Sequence, residues 1–184
     1  VANSRKIVVV HDLAFLKYPH FFTWWQKIWH NYMANSSIPQ ADLILAVSEN
    51  TKKDLSSYYH ISEEKIKVIY PGVNNNLRPF SDEEKKSFRA KAGLPDRFIL
   101  YLGTLEPRKN IETSILAFSR LKSDPQFKNL KFIIAGKKGW MFKSIFHLIR
   151  DNKLENEVIY QGYINEEEKN GYLSCAECFV YPSY

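Results

Sequence analysis

With 184 residues, 45% of them hydrophobic and 15% aromatic, the chain holds enough apolar material for one large core or two small ones, which excludes disordered, collagen-like and low-complexity readings. Its 26 Lys and Arg against 20 Asp and Glu give a net charge of +6, a mean field that favours phosphates, nucleic acid or an anionic membrane face as partners. Two cysteines cannot build a disulfide framework, no stretch reaches the roughly 18 to 20 apolar residues of a membrane-spanning helix, and no signal segment opens the chain, so the expectation is a cytoplasmic globular protein, cut at both ends because it starts at Val1 and stops at Tyr184 directly after an apolar run.

In chain order, short β-branched runs alternate with segments of 3.6-residue period, the pattern of a parallel sheet covered by helices. Strands are predicted at Lys6 to Val10, Leu43 to Val47, Ile66 to Tyr70, Phe98 to Leu102, Lys131 to Ala135, Glu157 to Tyr160 and Cys178 to Tyr181. Several are apolar throughout, which predicts cover on both faces. Ser48 is placed to cap a helix running to about Tyr59, and Ser81 with Glu84 forms a capping box for a helix that Gly93 ends. Ile111, Ile115, Phe118 and Leu121, with Leu116 beside them, make one helical stripe, and Phe142, Ile145, Phe146 and Ile149 make the next. Between Pro71 and Pro79 the run PGVNNNLRP is all turn chemistry without an apolar period, so it reads as a hinge between two α/β units, residues 1–74 and 75–184.

The stretch YLGTLEPRKN, Tyr101 to Asn110, carries the most chemistry. A buried strand ends at Leu102, a turn follows at Gly103, and Arg108 and Lys109 stand just before a helix. In open parallel sheets ligands bind outside the carboxyl ends of strands, where helix N-termini present free N–H groups, and a fork-shaped cation beside a point charge suits a diphosphate. Solvated loop cations are the alternative. Gly136 and Gly139 flank a lysine pair at another strand end in AGKKGW, and Gly162, Tyr163 and Ile164 follow a third; ordinary strand-to-helix turns explain these glycines as well. His11 ends the first strand, where a neutral imidazole, able both to donate and to accept, is read as a structural hydrogen-bonding residue, and Asp12 next to it either orients that ring or caps the next turn, a structural role by default. Cys175 and Cys178 have a C-x-x-C spacing without a second pair or a nearby histidine, so they are read as core or helix-end thiols and no metal is expected. The aromatic cluster Phe15, Tyr18, Phe21, Phe22, Trp24, Trp25, Trp29 and Tyr32 is read first as packing, and alternatively as a cleft lip or a peripheral membrane contact. The basic residues are spread along the chain rather than gathered in a stripe, which argues against nucleic acid.

GTLEPRKN with its helix, HDLAF (His11 to Phe15), ADLILAVSENTKKDL (Ala41 to Leu55), YPGV (Tyr70 to Val73), IIAGKKGW (Ile133 to Trp140), IYQGYI (Ile159 to Ile164) and FVYPSY together resemble the retaining glycosyltransferases of family 4, in the family's order and spacing over essentially the whole chain. The resemblance implies the GT-B type of α/β fold, two Rossmann-like doubly wound domains, here both incomplete: an acceptor-side domain in 1–74 and a donor-side domain in 75–184. It implies a UDP- or GDP-sugar donor, no metal cofactor, and a saccharide or lipid-linked acceptor. Lys109 then matches the lysine that binds the donor diphosphate, with Arg108 the adjacent cation, Gly103 and Thr104 in the same turn, and Thr104 standing where an arginine is usual. His11 matches a histidine near the transferred sugar, and Gly136, Gly139, Gly162, Tyr163 and Ile164 match segments near the nucleotide. The family's glycine-rich turn and paired glutamates would follow Tyr184, so this portion alone is expected to turn over no donor. The rival readings are a noncatalytic nucleotide-sugar- or partner-binding module, and a doubly wound sugar-phosphate isomerase.

Overall fold

The computed structural model describes residues 4–73 and 77–184; Val1 and the three asparagines at the centre of the expected hinge lie outside them. Internal contacts divide the chain into two compact units, Val1–Asn74 and Asn75–Tyr184.

In the first unit three parallel strands, β1 (Ile7–Val10), β2 (Leu43–Ala46) and β3 (Ile66–Val68), lie in the order β1-β2-β3. The short α1 (Ala14–Lys17) and α2 (Trp24–Ser37) connect the first two strands, and α3 (Glu49–Tyr59) connects the second and third. The Ser48 hydroxyl caps α3 by accepting from the Thr51 N–H at 3.1 Å. Register places Val8, Ile44 and Ile66 in one cross-strand row and Val10, Ala46 and Val68 in the next. These rows, with Leu13, Phe15, Ile38 and Leu55, form the unit's core. The opposite face of β1 is not covered: Ile7 and Val9 are exposed, so the expectation of cover on both faces fails here. Among the described residues all three α-helices of this unit pack into that one cluster, α1 through Phe15, α2 through Ala34 and α3 through Leu55.

The second unit meets that expectation. Its sheet has the order β6-β5-β4-β7, all parallel, from β4 (Phe98–Leu102), β5 (Lys131–Ala135), β6 (Val158–Gly162) and β7 (Cys178–Phe179). One face packs Tyr101, Phe132 and Ile134 against Ile111, Ile115 and Phe118 of α5 (Ile111–Leu121) and Ile145 and Ile149 of α6 (Lys143–Asp151). The other packs Phe98, Leu100 and Ile133 against Tyr172 and Cys175 of α7 (Glu166–Cys175) and Phe88 of α4 (Asp82–Ala92). Continuously apolar strands are what a two-sided sheet requires. Leu116 and Leu121, expected in or beside the α5 stripe, are exposed at its margin.

β7 is shorter than predicted and is an edge strand, bonded to β4 alone, so both Cys178 and Phe179 are exposed. This corrects the reading of Cys178 as a core thiol. Cys175 is buried, and burial pushes its thiol pKa up, as suits an inert core group. The aromatic cluster also divides. Phe15 enters the core, while Trp24, Trp25, Trp29 and Tyr32 are more than half exposed, so packing accounts for only part of it. Among the described residues no helix is long and apolar enough to cross a membrane.

Candidate functional site

In the second unit the chain runs from β4 through α5 and α6 to β6 on one side, while β7 returns to pair on the other flank of β4. The strand order therefore reverses between β4 and β7. At such a switch point the loops leaving the carboxyl ends part in opposite directions and leave a crevice. A cleft of about 660 Å³ occupies this place. Its lining comes from every strand end: Leu102, Gly103 and Thr104 after β4, Gly136 and Lys137 after β5, Tyr163 and Ile164 after β6, and Phe179 and Tyr181 at β7, with Glu166, Lys169 and Leu173 from α7.

The glycine turns are built into one another. Gly103 N–H donates to Ala135 O at 2.9 Å, Leu105 N–H to Lys137 O at 2.9 Å, and Gly139 N–H to Leu105 O at 3.0 Å, so the loops after β4 and β5 run side by side beyond the sheet. Gly136 has φ +146°, and a Cβ there would lie 1.8 Å from Gly103 O. Only glycine lets these two backbones meet. On the other flank Gly136 N–H donates to Gly162 O at 2.6 Å, and the Tyr160 hydroxyl donates to Gly136 O at 3.0 Å. Gly162 sits at the register shift that ends the β5 and β6 pairing.

Arg108 and Lys109 lie on a single 3-10 turn, Pro107–Lys109, and Asn110 in the left-handed conformation turns the chain into α5. Neither cation lines the cleft directly. Arg108 Nε donates to Glu106 Oε1 at 2.7 Å, and Glu106 is only 5% exposed, a buried carboxylate matched by a charge. Lys109 Nζ lies 4.7 Å from the ring centroid of Tyr181, which does line the cleft. Lys137 Nζ stands 4.8 Å from the Tyr163 ring, and Lys138 Nζ 5.2 Å from the Phe146 ring and 5.3 Å from Tyr160. Lys169 pairs with Glu166 at 3.5 Å. Burial, followed by the electrostatic influence of neighbouring Tyr181 and Glu106, pushes the Tyr101 phenol above its ordinary range, and its hydroxyl donates to Thr104 O at 3.2 Å. The result is a crevice with glycine rims, an exposed tyrosine and a cationic border, suited to a ligand that is anionic at one end and flat at the other.

Five residues singled out in the sequence, Gly103, Thr104, Gly136, Tyr163 and Ile164, line this cleft together. Gly139 and Gly162 support its loops from behind. His11 belongs to the first unit: it is exposed, directly after β1, and its carbonyl accepts from Thr51 Oγ1 at 3.1 Å. Asp12 Oδ1 accepts from the Ala14 N–H at 3.1 Å, the turn cap expected of it. The sequence reading gave no site role to Glu106, Lys169, Phe179 and Tyr181, and noted Lys137 only as one of the lysine pair in AGKKGW. A buried acid two residues from an arginine, and an aromatic just past a strand end, were the available signals. Among the described residues no group of three His, Cys, Asp or Glu is arranged to hold a metal.

Residues 82–184 match the family model of the glycosyl transferases group 1, and residues 2–77 that of Glycosyltransferase Family 4. The chain is 25% identical over 182 residues to O-antigen chain mannosyltransferase B of Escherichia coli, covering 98% of this chain and 48% of the relative. It is 30% identical over 155 residues to the N-acetylgalactosamine-N,N'-diacetylbacillosaminyl-diphospho-undecaprenol 4-alpha-N-acetylgalactosaminyltransferase of Campylobacter jejuni, covering 84% and 38%. Among solved structures it superposes on sucrose-phosphate synthase of Thermosynechococcus elongatus with a TM-score of 0.79 at 23% identity, over 100% of this chain and 45% of that one. It superposes on the Anabaena HepE complex with UDP and glucose with a TM-score of 0.74 at 21% identity, over 97% and 46%. The chain thus spans about half the length of the proteins it resembles, or less, and its fold is the α/β GT-B type. With one family model matching more than half of its residues, the chain belongs to the glycosyl transferases group 1 family.

Proposed function

We propose that the protein to which this chain contributes transfers a sugar, with retention, from a nucleoside diphosphate donor to a saccharide or lipid-linked acceptor. Residues 75–184 serve as the donor side and residues 1–74 as the acceptor side. The observation that carries this is the crevice at the strand-order reversal of the second unit, where Gly136 meets the Gly103 backbone beside a cation-bearing turn. Close backbone approach and positive charge are what a diphosphate requires, since its charge grows as the glycosidic bond breaks.

In this reading Lys109 and Arg108 stabilise the leaving diphosphate, and no metal is needed because side chains and backbone N–H groups supply the neutralisation. Gly103 and Thr104 border the phosphates. Gly136, Gly139, Gly162, Tyr163 and Ile164 shape the nucleotide end, where exposed Tyr163 offers a ring face. His11 supplies hydrogen bonds to the transferred sugar from the acceptor side. UDP is favoured as the donor nucleotide by the HepE complex, and a lipid-linked acceptor by the diphospho-undecaprenol in the Campylobacter relative's name.

The test is ligand protection. UDP or GDP at about 100 times its Kd should add close to 3 kcal/mol to unfolding of the second unit by mass action, and Lys109→Met should weaken that binding about tenfold. If neither nucleotide shifts the unfolding transition, the donor-side assignment is wrong.

A further inference from the structure

We propose that Tyr181 is the positioning residue for Lys109, holding its ammonium at the edge of the cleft through a stacked aromatic column. This deepens the donor-site reading above and rests on it.

The column has a fixed base. Tyr101 is fully buried in β4, and its hydroxyl is tied to Thr104 O at 3.2 Å. The Tyr181 ring lies nearly parallel on it, with centroids 5.6 Å apart and planes 8° apart, and the Phe179 ring flanks it at 6.0 Å and 20°. Lys109 Nζ stands 4.7 Å from the Tyr181 centroid, well inside the range of a cation–π contact. A lysine side chain has four rotatable bonds, so an unrestrained ammonium samples many positions and must be ordered whenever an anion binds. A ring on a buried stack removes part of that disorder beforehand, the general route by which pre-organisation raises affinity.

The same segment grips the turn by its backbone. Arg108 O accepts from Tyr184 N–H at 3.1 Å and from Ser183 Oγ at 3.3 Å. Side chain and main chain of the residues after β7 therefore both restrain the turn after β4, across the strand pair where the sheet order reverses. Tyr181 is 42% exposed, so exchanging it leaves the core intact.

The experiment is a double-mutant cycle read by calorimetric titration with UDP and with GDP, using uridine and guanosine as probes that lack the diphosphate. Tyr181→Leu should weaken nucleoside diphosphate binding about fivefold and leave nucleoside binding unchanged, while Tyr181→Phe, which keeps the ring face, should stay within about twofold of the native protein. In a Lys109→Met background Tyr181→Leu should cost nothing more. If the two losses simply add, or if Tyr181→Phe is as damaging as Tyr181→Leu, the ring does not act through the lysine. If Lys109→Met weakens binding and Tyr181→Leu does not, the positioning role falls while the cleft assignment stands. Unchanged binding in Lys109→Met removes the lysine's phosphate role and the positioning role with it, while absence of nucleotide binding in the native protein removes the cleft assignment.

Discussion

A single methyl group at position 136 distinguishes tolerance from collapse. The ideal Cβ of an alanine there would sit 1.8 Å from Gly103 O, in a backbone conformation with φ +146°. Gly136→Ala should cost about 3 kcal/mol or more of stability, because the obstacle is main chain and cannot rotate away. Gly72→Ala is the control: no atom lies within 4 Å of its Cβ, and urea unfolding should leave it within about 0.5 kcal/mol of the parent. AGKKGW announced a turn, because glycine marks special backbone wherever it stands. That the turn presses on Gly103 was not legible, since nothing local records which loop lies alongside. The same gap explains Cys178, whose apolar neighbours suggested a core position while edge pairing left it exposed.

At the level of elements, capping signals read directly because a cap is made within four residues. Ser81 and Glu84 make the reciprocal bonds their spacing promised, and Gly93 ends α4 at φ 62°. Thr23 with Gln26 and Asn165 with Glu168 do the same for α2 and α7 and were equally readable. Long-range pairing was not, and Lys122 shows what it contributes. Its Nζ follows α5, donates to the carbonyls of Phe127, Lys128 and Leu130, and pairs with Glu157 at 2.8 Å. Lys122→Met should destabilise the second unit by about 2 kcal/mol in urea unfolding, since three acceptors lose a charged donor.

Acid should act on the same unit. The Lys122 hydrogen bond holds Glu157 below the ordinary 4.5, Arg97 does so for Glu177, and Arg78 brings Glu84 down to about 2. A carboxylate with a depressed folded pKa stabilises fully above 4.5 and loses that contribution as pH falls through its folded value. The unfolding midpoint of the second unit should therefore decline below pH 4.5, and Glu157→Gln with Glu177→Gln should flatten the decline. An unchanged slope would show that these pairs do not govern acid sensitivity.

Over the whole molecule, charge sets the response to salt. With a net charge of +6 and lysines around the cleft, UDP or GDP affinity should fall several-fold as ionic strength rises from about 0.02 M to about 0.5 M, measured by titration calorimetry. Uridine should show no such slope. The parallel α/β class was legible in the sequence because strand and helix periods alternate so plainly. The bare face of β1 was not, because Ile7 and Val9 carry the same apolar signature as the covered Val8 and Val10.

The placement of the indoles has an optical consequence. Three of the four tryptophans sit in α2, open to water, with the Trp24 and Trp25 rings stacked at 3.6 Å, whereas the fourth, Trp140, belongs to the second unit, directly after Gly139. Native fluorescence is thus dominated by the first unit. Exchanging those three for phenylalanine would leave one lamp in the second unit, able to follow the unfolding of that unit alone without an added dye.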